Sequence, residues 1–491
     1  MKHTLNLAAI DLGAESGRVM WAALDDRTLR LEEAYRFPNV PVRVLDSLHW
    51  DPLRLFAEIK HGLGLCAKRG GAALNGIGLD TWGVDFALLG RDDELTGIPF
   101  HYRDRRTESM LEKAFQRVAR EEIFERTGIQ FMPINSLYML LSMTGTPALE
   151  SAATFLMIPD LFNFWLSGRK ACEFTDATTT QLYDQRAGDW ARSVIEKLGL
   201  PGHIFLPITQ PGTVLGPILP SVAEEAGLDS VPIIAPACHD SGSAVAAVPA
   251  RNKNAAYISS GTWSIVGVEV HAPIITPQSL KFNFTNEGGV SGTVRFLKNV
   301  MGLWIVQECR RVWARAGEEF TYTELTTMAE NATPFVSIVD PDDESFLRPG
   351  DMPARLREFC TQTGQPVPED KGALLRCVFD SLALKYRVVV ERIEVMMGHR
   401  LEVIHIIGGG SQNRLLCQLT ADATGRPVIA GPVEATAIGN AVVQAMALGH
   451  LASLAEAREV IQNSFELIIY EPRASAQWDE AYARFAHLLP T

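Results

Sequence analysis

The feature that most constrains the fold is a pattern that occurs twice, near the start of the chain and near its middle. Residues 8–24 read AAIDLGAESGRVMWAAL, in which two apolar runs flank an acidic turn containing glycines. Residues 255–270 read AAYISSGTWSIVGVEV, again two apolar or β-branched runs around a small polar turn. Runs of this kind, bounded by glycine and serine, are typical of paired strands. We therefore predict two domains that each open with the same hairpin.

The length of the chain agrees with two domains. With 491 residues, the chain exceeds the size at which a single hydrophobic core stops growing. We place the boundary between residues 249 and 253, which gives domains 1–249 and 250–491, the second ending in a helical tail.

Charge and composition exclude several classes of function. The net charge is −13 and the basic residues form no long cluster, which argues against a nucleic-acid partner. No apolar run reaches the roughly 18 residues of a membrane-spanning helix, so we expect no membrane partner. The seven cysteines contain no C-x-x-C pair and favour reduced thiols and a cytoplasmic location. A bridge between Cys360 and Cys377 remains an alternative.

The two hairpin turns are candidate phosphate-binding loops. The first turn has no Walker lysine and lacks the third glycine of a dinucleotide fingerprint. Glycine nevertheless lets backbone N–H groups approach phosphate oxygens, and serine or threonine adds a hydroxyl donor. Asp11, at the mouth of the first turn, would repel a phosphate unless a cation lay between them, so we predict that it anchors Mg²⁺ through water. The alternatives are ordinary hairpins and an aspartate that bonds its own turn.

A third glycine turn follows a predicted strand at residues 403–407. The sequence GGGSQNRLL resembles the opening of a dinucleotide fold, but Asn413 stands where the third glycine would be. Three successive glycines remove side chains from one surface, which suits an adenine or ribose lying against the backbone. As a lone motif this signal is weak.

Asp240 is the strongest candidate for a catalytic acid or base. It follows a predicted strand in the segment APACHDSGSAV and precedes a run of small residues typical of a buried helix. A carboxylate there could accept the proton of a hydroxyl that attacks a phosphate. The alternative is that Asp240 is the N-cap of the helix. His239 beside it could bond a substrate hydroxyl or be a buried histidine satisfied by the protein.

The segment DTWGVDFALL, residues 80–89, has two alternative interpretations. Sugars stack on aromatic rings and bond carboxylates through their hydroxyls, so Trp82 and Asp85 are candidate sugar contacts. The alternative is a core tryptophan with two acids that form the turn.

Taken together, these stretches resemble the FGGY family of carbohydrate kinases, within the actin-like ATPase superfold. The resembling motifs extend over nearly the whole chain and include DLGAESGRVM, DTWGVDFALL, YRDRRT, FTDATTTQL, CHDSGSAVAA, YISSGTWS, TNEGG, LKNVMGLWIVQ, PDDESFLRP and GGGSQNRLL. The resemblance implies an α/β fold of two actin-like (ribonuclease H-like) domains with an interdomain cleft. It also implies that the N-terminal domain binds the sugar and the C-terminal domain binds the nucleotide.

The family's functional residues carry over to the matching positions of this sequence. The resemblance implies ATP contacts from Ala14, Glu15, Ser16, Gly17, Arg18, Gly261, Thr262, Gln307 and Gly409. It implies ketose contacts from Gly83, His239, Asp240, Ser241 and Asn299, with Asp240 as the proton acceptor. The sequence departs from the family pattern at Glu15, Ser241 and Ser411, where serine, threonine and cysteine are more usual.

The implied reaction is phosphoryl transfer from ATP, with Mg²⁺, to the C1 hydroxyl of a ketose. The resemblance, which is most specific at DTWGVDF and NEGG…KNVMGLW, implies L-rhamnulose as the ketose, while L-fuculose or a ketopentose remain alternatives. Alternatives of another class are a nucleotide-gated chaperone or filament protein and a nucleotide-dependent dehydrogenase. We expect a small-molecule ketose as the partner and a monomer or small homo-oligomer as the assembly.

Overall fold

The structure is a computed structural model that describes residues 4–70, 73–251 and 254–489. Contacts divide the chain into two compact units. The first unit comprises Met1–Pro249, Glu269–Phe296 and Ala435–Ser464, and the second comprises Ala250–Val268, Leu297–Glu434 and Phe465–Thr491. One break lies at the predicted boundary, of which residues 252 and 253 are outside the described residues. We expected a second domain that is continuous from residue 250. The contacts instead place two later segments, 269–296 and 435–464, in the first unit.

The strands, in chain order, are β1 (Leu5–Leu12), β2 (Ser16–Leu24), β3 (Leu29–Pro38), β4 (Val42–Val44), β5 (Ser47–His49), β6 (Gly76–Thr81), β7 (Phe86–Leu89), β8 (Thr154–Met157), β9 (Cys172–Glu173), β10 (Tyr183–Asp184), β11 (Asp189–Trp190), β12 (Ile208–Thr209), β13 (Thr213–Pro217), β14 (Pro232–Ala235), β15 (Ala255–Ser260), β16 (Trp263–Val270), β17 (Thr285–Gly288), β18 (Val294–Met301), β19 (Val403–Ile407), β20 (Val428–Ala430) and β21 (Ile468–Tyr470).

The α-helices are α1 (Pro52–Gly70), α2 (Met110–Phe115), α3 (Arg120–Thr127), α4 (Ser136–Ser142), α5 (Pro147–Glu150), α6 (Ile158–Ser167), α7 (Phe174–Ala177), α8 (Arg192–Leu198), α9 (Pro220–Ala226), α10 (Asp240–Ala246), α11 (Pro277–Lys281), α12 (Trp304–Arg315), α13 (Tyr322–Glu330), α14 (Met352–Gln362), α15 (Lys371–Met397), α16 (Arg414–Thr424), α17 (Ala435–Ala447), α18 (Leu454–Ser464) and α19 (Ala476–Ala486). Short 3₁₀ turns occur at Arg105–Thr107, Thr178–Thr180, Gly202–Ile204, Glu344–Phe346 and Gly409–Gln412.

The first unit is built on a mixed sheet with the strand order β13-β14-β6-β1-β2-β3. β1 pairs antiparallel with β2 and parallel with β6, and β6 pairs parallel with β14. All eight residues of β1 are buried, as expected for a strand covered on both faces. The carboxyl ends of these parallel strands meet at one edge, where Asp11 and Asp80 are register partners.

The segment Ala435–Ser464 belongs to the first unit because α17 packs directly on its sheet. Asn440 Nδ2 donates to Asp80 Oδ2 at 2.6 Å, and Gln444 Nε2 donates to the Ala8 carbonyl at 3.0 Å. A Cβ added to Gly439 would lie 1.7 Å from the Ser243 carbonyl oxygen. The absence of a side chain at Gly439 therefore lets α17 lie against α10.

The second unit repeats the local pattern of the first. Its strand order runs β18-β16-β15-β19-β20-β21. The predicted hairpin is present, because β15 pairs antiparallel with β16, while it pairs parallel with β19 on its other side. Helix α15, of 27 residues, and α16 pack against each other. Both units combine helices with a mixed sheet, which confirms the predicted α/β class.

Two predictions from the composition concern the cysteines and membrane-spanning helices. All seven cysteines are free and buried, including Cys360 and Cys377. Within the described residues, no helix has both the length and the apolar character needed to cross a membrane.

Candidate active site

Asp240 is the first residue of α10, which begins a few residues after β14 ends. The N-cap position of the helix is occupied by His239, so the alternative in which Asp240 is the N-cap is wrong. The Asp240 side chain is 29% exposed, which leaves its carboxylate open to a small molecule. A carboxylate at the start of a helix that does not cap that helix is available for other chemistry.

The surroundings of Asp240 raise the pKa of its carboxyl to about 6, mainly through burial. The like charge of Asp11 acts in the same direction, while His239 and Arg295 oppose it. A carboxyl with this pKa is mostly ionised at neutral pH and is more basic than an ordinary aspartate. It is therefore suited to accept a proton from a hydroxyl group.

A buried polar network holds His239 next to Asp240. Arg295 is fully buried, and its Nη2 lies 3.1 Å from His239 Nδ1. Since a guanidinium can only donate, Nδ1 accepts and the proton of a neutral ring is on Nε2. Nε2 lies 3.5 Å from Asp240 Oδ1. Nε2 also lies 3.0 Å from Ser241 Oγ, the nearer partner of its N–H group.

Arg295 also fixes the residues on either side of this network. Its Nη1 donates to Ser241 Oγ at 2.8 Å, and its Nε donates to the Gly288 carbonyl at 2.7 Å. Its Nη2 lies 3.2 Å from Glu287 Oε2. Sequence reasoning quoted the motif TNEGG but assigned no role to Glu287 or Arg295. The only local signal was an arginine between two apolar residues, Val294 and Phe296.

The backbone before Asp240 is anchored by another buried carboxylate. Glu173 Oε2 accepts from the hydroxyl of Thr175 at 2.6 Å and from the backbone N–H of Cys238 at 3.2 Å. Thr175 Oγ1 in turn accepts from the backbone N–H of His239 at 3.1 Å. These bonds set the direction in which the chain enters α10.

The structure brings Gly83 beside the same group of residues. The backbone N–H of Thr81 donates to the Cys238 carbonyl at 2.8 Å, which joins the end of β6 to the segment before α10. A Cβ added to Gly83 would lie 3.1 Å from His239 Nε2 and 3.3 Å from Asp176 Oδ1. Four of the predicted ketose contacts, Gly83, His239, Asp240 and Ser241, thus lie together in the first unit.

Trp82 and Asp85 are parts of the core. Asp85 Oδ2 accepts from Trp82 Nε1 at 2.8 Å and from Trp50 Nε1 at 2.5 Å, and the two tryptophan rings lie 4.1 Å apart. Both Trp82 and Asp85 are buried, and burial raises the pKa of Asp85 to about 7. Of the two interpretations left open by the sequence, the core tryptophan is the one observed.

The first hairpin turn is closed by an ion pair. Arg18 lies opposite Asp11 in the β1–β2 register, and its Nη2 donates to Asp11 Oδ2 at 2.6 Å. Gly17 is buried against Phe37, whose ring carbon Cζ would lie 2.3 Å from an added Cβ. Ala14 and Ser16 are half-buried and Glu15 is exposed.

The acidic residues at this edge of the sheet are compatible with a nearby cation. Asp11 and Asp240 each raise the pKa of Asp80, which is also raised by burial. A cation at this edge of the sheet would reduce the repulsion between these carboxyl groups. No cluster of three histidine, cysteine or acidic side chains among the described residues has the arrangement of a metal site. The protein residues alone therefore fit a cation held through water or by a ligand's phosphates, and not a direct metal centre.

In the second unit, the β15–β16 turn is bonded to the start of α12. Leu303 N–H donates to the Gly261 carbonyl at 3.1 Å, and Trp304 N–H donates to the Thr262 carbonyl at 3.0 Å. One turn into α12, Gln307 Oε1 is buried with no hydrogen-bond partner among the described residues. Gly261, Thr262 and Gln307, predicted separately, thus belong to one local structure with an unsatisfied acceptor.

The third glycine turn packs against the end of β15. A Cβ added to Gly410 would lie 2.0 Å from Ser260 Oγ, and Gly408 has a φ of +80°. An added Cβ on Gly409 would meet nothing within 4 Å. The two outer glycines are required by packing and backbone conformation, whereas the space over Gly409 is open. This arrangement fits a flat ring lying against the backbone.

Two other predicted residues of the second unit have different surroundings. Asn413 is the N-cap of α16, and its Oδ1 accepts from Leu416 N–H at 3.0 Å. Asn299 is half-buried on β18 and falls in the second unit. The predicted ketose contacts are therefore divided between the two units.

The chain is similar to known families, proteins and structures. It matches the N-terminal domain of the FGGY family of carbohydrate kinases over residues 8–247 and the C-terminal domain of that family over residues 256–448.

Among curated proteins, it is 45% identical to a rhamnulokinase of Bacteroides thetaiotaomicron over 482 residues, covering 98% of both chains. It is 43% identical to a rhamnulokinase of Oceanobacillus iheyensis, covering 94% of this chain and 97% of the relative.

Solved structures of similar fold include a xylulose kinase from Lactobacillus acidophilus, with a TM-score of 0.82, 17% identity and coverage of 98% of this chain and 97% of the other. A glycerol kinase of Plasmodium falciparum with ADP has a TM-score of 0.78, 13% identity and 99% coverage of both chains.

Proposed function

The chain belongs to the FGGY family of carbohydrate kinases, and from this premise we propose that it transfers the γ-phosphate of ATP to the C1 hydroxyl of L-rhamnulose. The products are L-rhamnulose 1-phosphate and ADP. Full-length relatives with this activity in their names, at 45% and 43% identity, support the choice of substrate. The alternatives of another class, a chaperone or filament protein and a dehydrogenase, have no support from these comparisons.

The observation that carries the proposal is the setting of Asp240. Its carboxylate is partly exposed, has a pKa raised to about 6 and lies 3.5 Å from His239 Nε2. In this proposal the ionised carboxylate accepts the C1 proton while the hydroxyl oxygen attacks the γ-phosphorus. Such a base typically contributes about 10²–10⁴-fold to the rate. Gly83, His239, Ser241 and Asn299 orient the ketose through its hydroxyl groups.

The nucleotide is assigned to the glycine turns. Gly409 leaves open space for the adenosine, and the orphaned Gln307 Oε1 is an acceptor suited to a donor group of the nucleotide. The turn residues Gly261 and Thr262, with Ala14 to Arg18 of the first hairpin, supply N–H and hydroxyl donors to the phosphates.

Mg²⁺ is proposed to accompany ATP. Bound with the nucleotide, the ion would neutralise charge that develops on the transferred phosphoryl group. We assign Asp11 to hold Mg²⁺ through water, because its carboxylate lies near other acidic side chains. Asp11 is also bonded to Arg18. Arg18 keeps that carboxylate fixed at the end of β1.

We assign the sugar to the first unit, which contains residues 1–249, and the nucleotide to the second unit, which contains most of residues 250–491. A cytoplasmic location is in keeping with seven free thiols. The assembly, a monomer or small homo-oligomer, stays a prediction.

The test of substrate is a coupled assay of ADP release across a panel of ketoses. L-Rhamnulose should give the highest kcat/KM, and the product should carry its phosphate on C1 by ³¹P NMR. L-Fuculose, D-ribulose and D-xylulose are the matched competitors, because they differ from L-rhamnulose in configuration or in the C6 methyl group. A higher kcat/KM for any of the three would replace L-rhamnulose in the proposal and leave the kinase class intact.

A further inference from the structure

A cavity in the first unit is lined by residues that are not among those assigned to the sugar or the nucleotide. Its volume is about 260 Å³. We call it the Arg106 cavity and define it by six of its lining residues: His49, Phe86, Leu88, Arg106, Met139 and Met143. The volume is just below the roughly 300–1,000 Å³ that is typical of pockets for drug-sized ligands. A ligand of this cavity would be correspondingly small.

The walls of the cavity are mostly apolar. Phe86, Leu88, Met139 and Met143 are all buried side chains. Methionine side chains are flexible and adapt to irregular apolar ligands. A free sugar, which needs several polar partners, does not suit such walls.

Two of the polar groups that line the cavity are already bonded within the protein. The Thr96 hydroxyl donates to the Leu88 carbonyl at 3.3 Å. His49 Nδ1 lies 3.3 Å from the Ile98 carbonyl oxygen.

Arg106 is the exception among the polar lining groups. Its Nε and Nη1 are buried and have no hydrogen-bond partner among the described residues. Its guanidinium carbon lies 3.2 Å from the centroid of the Phe100 ring. The ring holds the guanidinium plane in place without satisfying the N–H groups.

Asp104, the carboxylate whose charge acts on Arg106, is bonded to backbone N–H groups. Asp104 Oδ1 accepts from the backbone N–H of Arg106 at 3.0 Å, and Asp104 Oδ2 accepts from that of Leu48 at 2.6 Å. Burial lowers the pKa of Arg106 to about 10, so the group stays charged at neutral pH. Two buried N–H groups of a charged guanidinium that lack an acceptor are costly, and a bound anion would remove that cost.

We propose that the Arg106 cavity binds a small carboxylic acid with a short apolar tail. The carboxylate accepts hydrogen bonds from the Arg106 guanidinium, which is the charge-assisted pairing that arginine favours. The tail packs against Met139, Met143 and Leu88. None of the residues that line the cavity is one that the proposed kinase reaction uses.

The probe is hexanoate, titrated into the whole protein by isothermal titration calorimetry. We expect binding that is at least about tenfold tighter than that of 1-hexanol, which has the tail without the charge, and of acetate, which has the charge without the tail. Equal affinity for hexanoate and 1-hexanol, or no binding of hexanoate up to about 10 mM, would overturn the proposal. This comparison needs no variant.

Two variants locate the binding. Arg106→Gln should weaken hexanoate at least about tenfold, whereas Arg105→Gln should change it less than twofold. Arg105 is the matched control, since it is exposed and lies in the same short 3₁₀ turn. Equal losses in the two variants, or none in Arg106→Gln, would contradict the assignment of the carboxylate.

A third variant fills the cavity without touching the arginine. Gly97 lines the cavity, and a Cβ added to it would meet only Ala148 Cβ, at 3.7 Å. Gly97→Leu should therefore fold normally and abolish hexanoate binding, with the melting temperature as the check on folding. Hexanoate binding that survived in Gly97→Leu would place the ligand elsewhere and refute the proposal. This test does not depend on whether Arg106→Gln folds.

Discussion

At the first hairpin turn, a Cβ added to Gly17 would lie 2.3 Å from the Phe37 ring, whereas at the second turn a Cβ added to Gly261 would meet only the Trp263 carbonyl oxygen, at 3.8 Å. The two turns look alike in sequence and pair the same way with their neighbours. In the first, glycine makes room for a core ring. In the second, it leaves space that nothing in the second unit fills. The role of a glycine in a phosphate-loop motif thus depends on which side chains pack against it.

The same contrast holds for the two groups of predicted site residues. In the first unit, His239, Ser241 and Arg295 are bonded to one another in a buried network. In the second unit, Gly409 faces open space and Gln307 Oε1 is unsatisfied. We therefore expect substitutions in the first group to alter stability as well as chemistry, and substitutions in the second to alter ligand binding alone.

The largest effect on stability is expected for Arg295→Met. The variant leaves Glu287 buried without its guanidinium partner and removes bonds to Ser241 and Gly288. Breaking a buried ion pair in this way costs about 3–5 kcal/mol of unfolding free energy. Urea denaturation followed by circular dichroism measures the change. The control is Arg36→Met, whose ion pair with Glu33 is exposed and is worth at most about 1 kcal/mol. Equal changes in the two variants would mean that the network is not stabilising.

Gly17→Ala and Gly261→Ala test the two turns directly. Gly17→Ala should lower the unfolding free energy by about 1–3 kcal/mol, because the methyl group overpacks the Phe37 ring. Gly261→Ala should stay within about 0.5 kcal/mol of the parent and raise the KM for ATP. Urea denaturation measures the change in unfolding free energy, and the ADP-release assay measures the KM for ATP. The reverse pattern would show that the comparison of the turns is wrong.

The pH dependence of kcat/KM for the ketose tests the environment of Asp240. Burial raises the pKa of this carboxyl from its usual 3.8 to about 6. As the pH falls below that value the base becomes protonated, so kcat/KM should be about tenfold lower at pH 5 than on the plateau above pH 7. Saturating ATP and a parallel measurement of nucleotide binding at each pH separate the base from the titration of ATP. A profile that stays flat to pH 5 would contradict the raised pKa.

The smallest effect is expected for Gly409→Ala. Since nothing lies within 4 Å of the added methyl group, stability should not change. The KM for ATP should rise roughly threefold to tenfold, because the methyl group occupies the space assigned to the adenosine. Gly410→Ala is the contrasting variant: its methyl group would lie 2.0 Å from Ser260 Oγ, so it should lose stability. An unchanged KM for ATP in Gly409→Ala would contradict the assignment of the adenosine to this turn.

The sequence predicts local structure well and long-range contacts poorly. The strand Val403–Ile407 has the predicted bounds, because the apolar run that forms it is a local signal. The return of α17 to the first unit depends on Asn440 meeting Asp80, 360 residues away. No local pattern encodes such a partner.

In the candidate site too, the sequence predicts contiguous motifs but not contacts between distant residues. Asp240 and the glycine turns are recognisable because their motifs are contiguous in sequence. Arg295 was missed because its partners, His239 and Ser241, are more than 50 residues away. Trp82 and Asp85 fitted two interpretations equally, since only the position of Trp50 shows that both are part of the core.

The most direct test of the central claim is the turnover rate of Asp240→Asn with saturating ATP and L-rhamnulose. The amide keeps the shape of the side chain but cannot accept the proton, so kcat should fall about 10²–10⁴-fold while calorimetry shows unchanged ATP binding. Asp229→Asn, at an exposed position of the same unit, is the control and should retain full activity. A kcat for Asp240→Asn close to that of the parent would contradict Asp240 as the base.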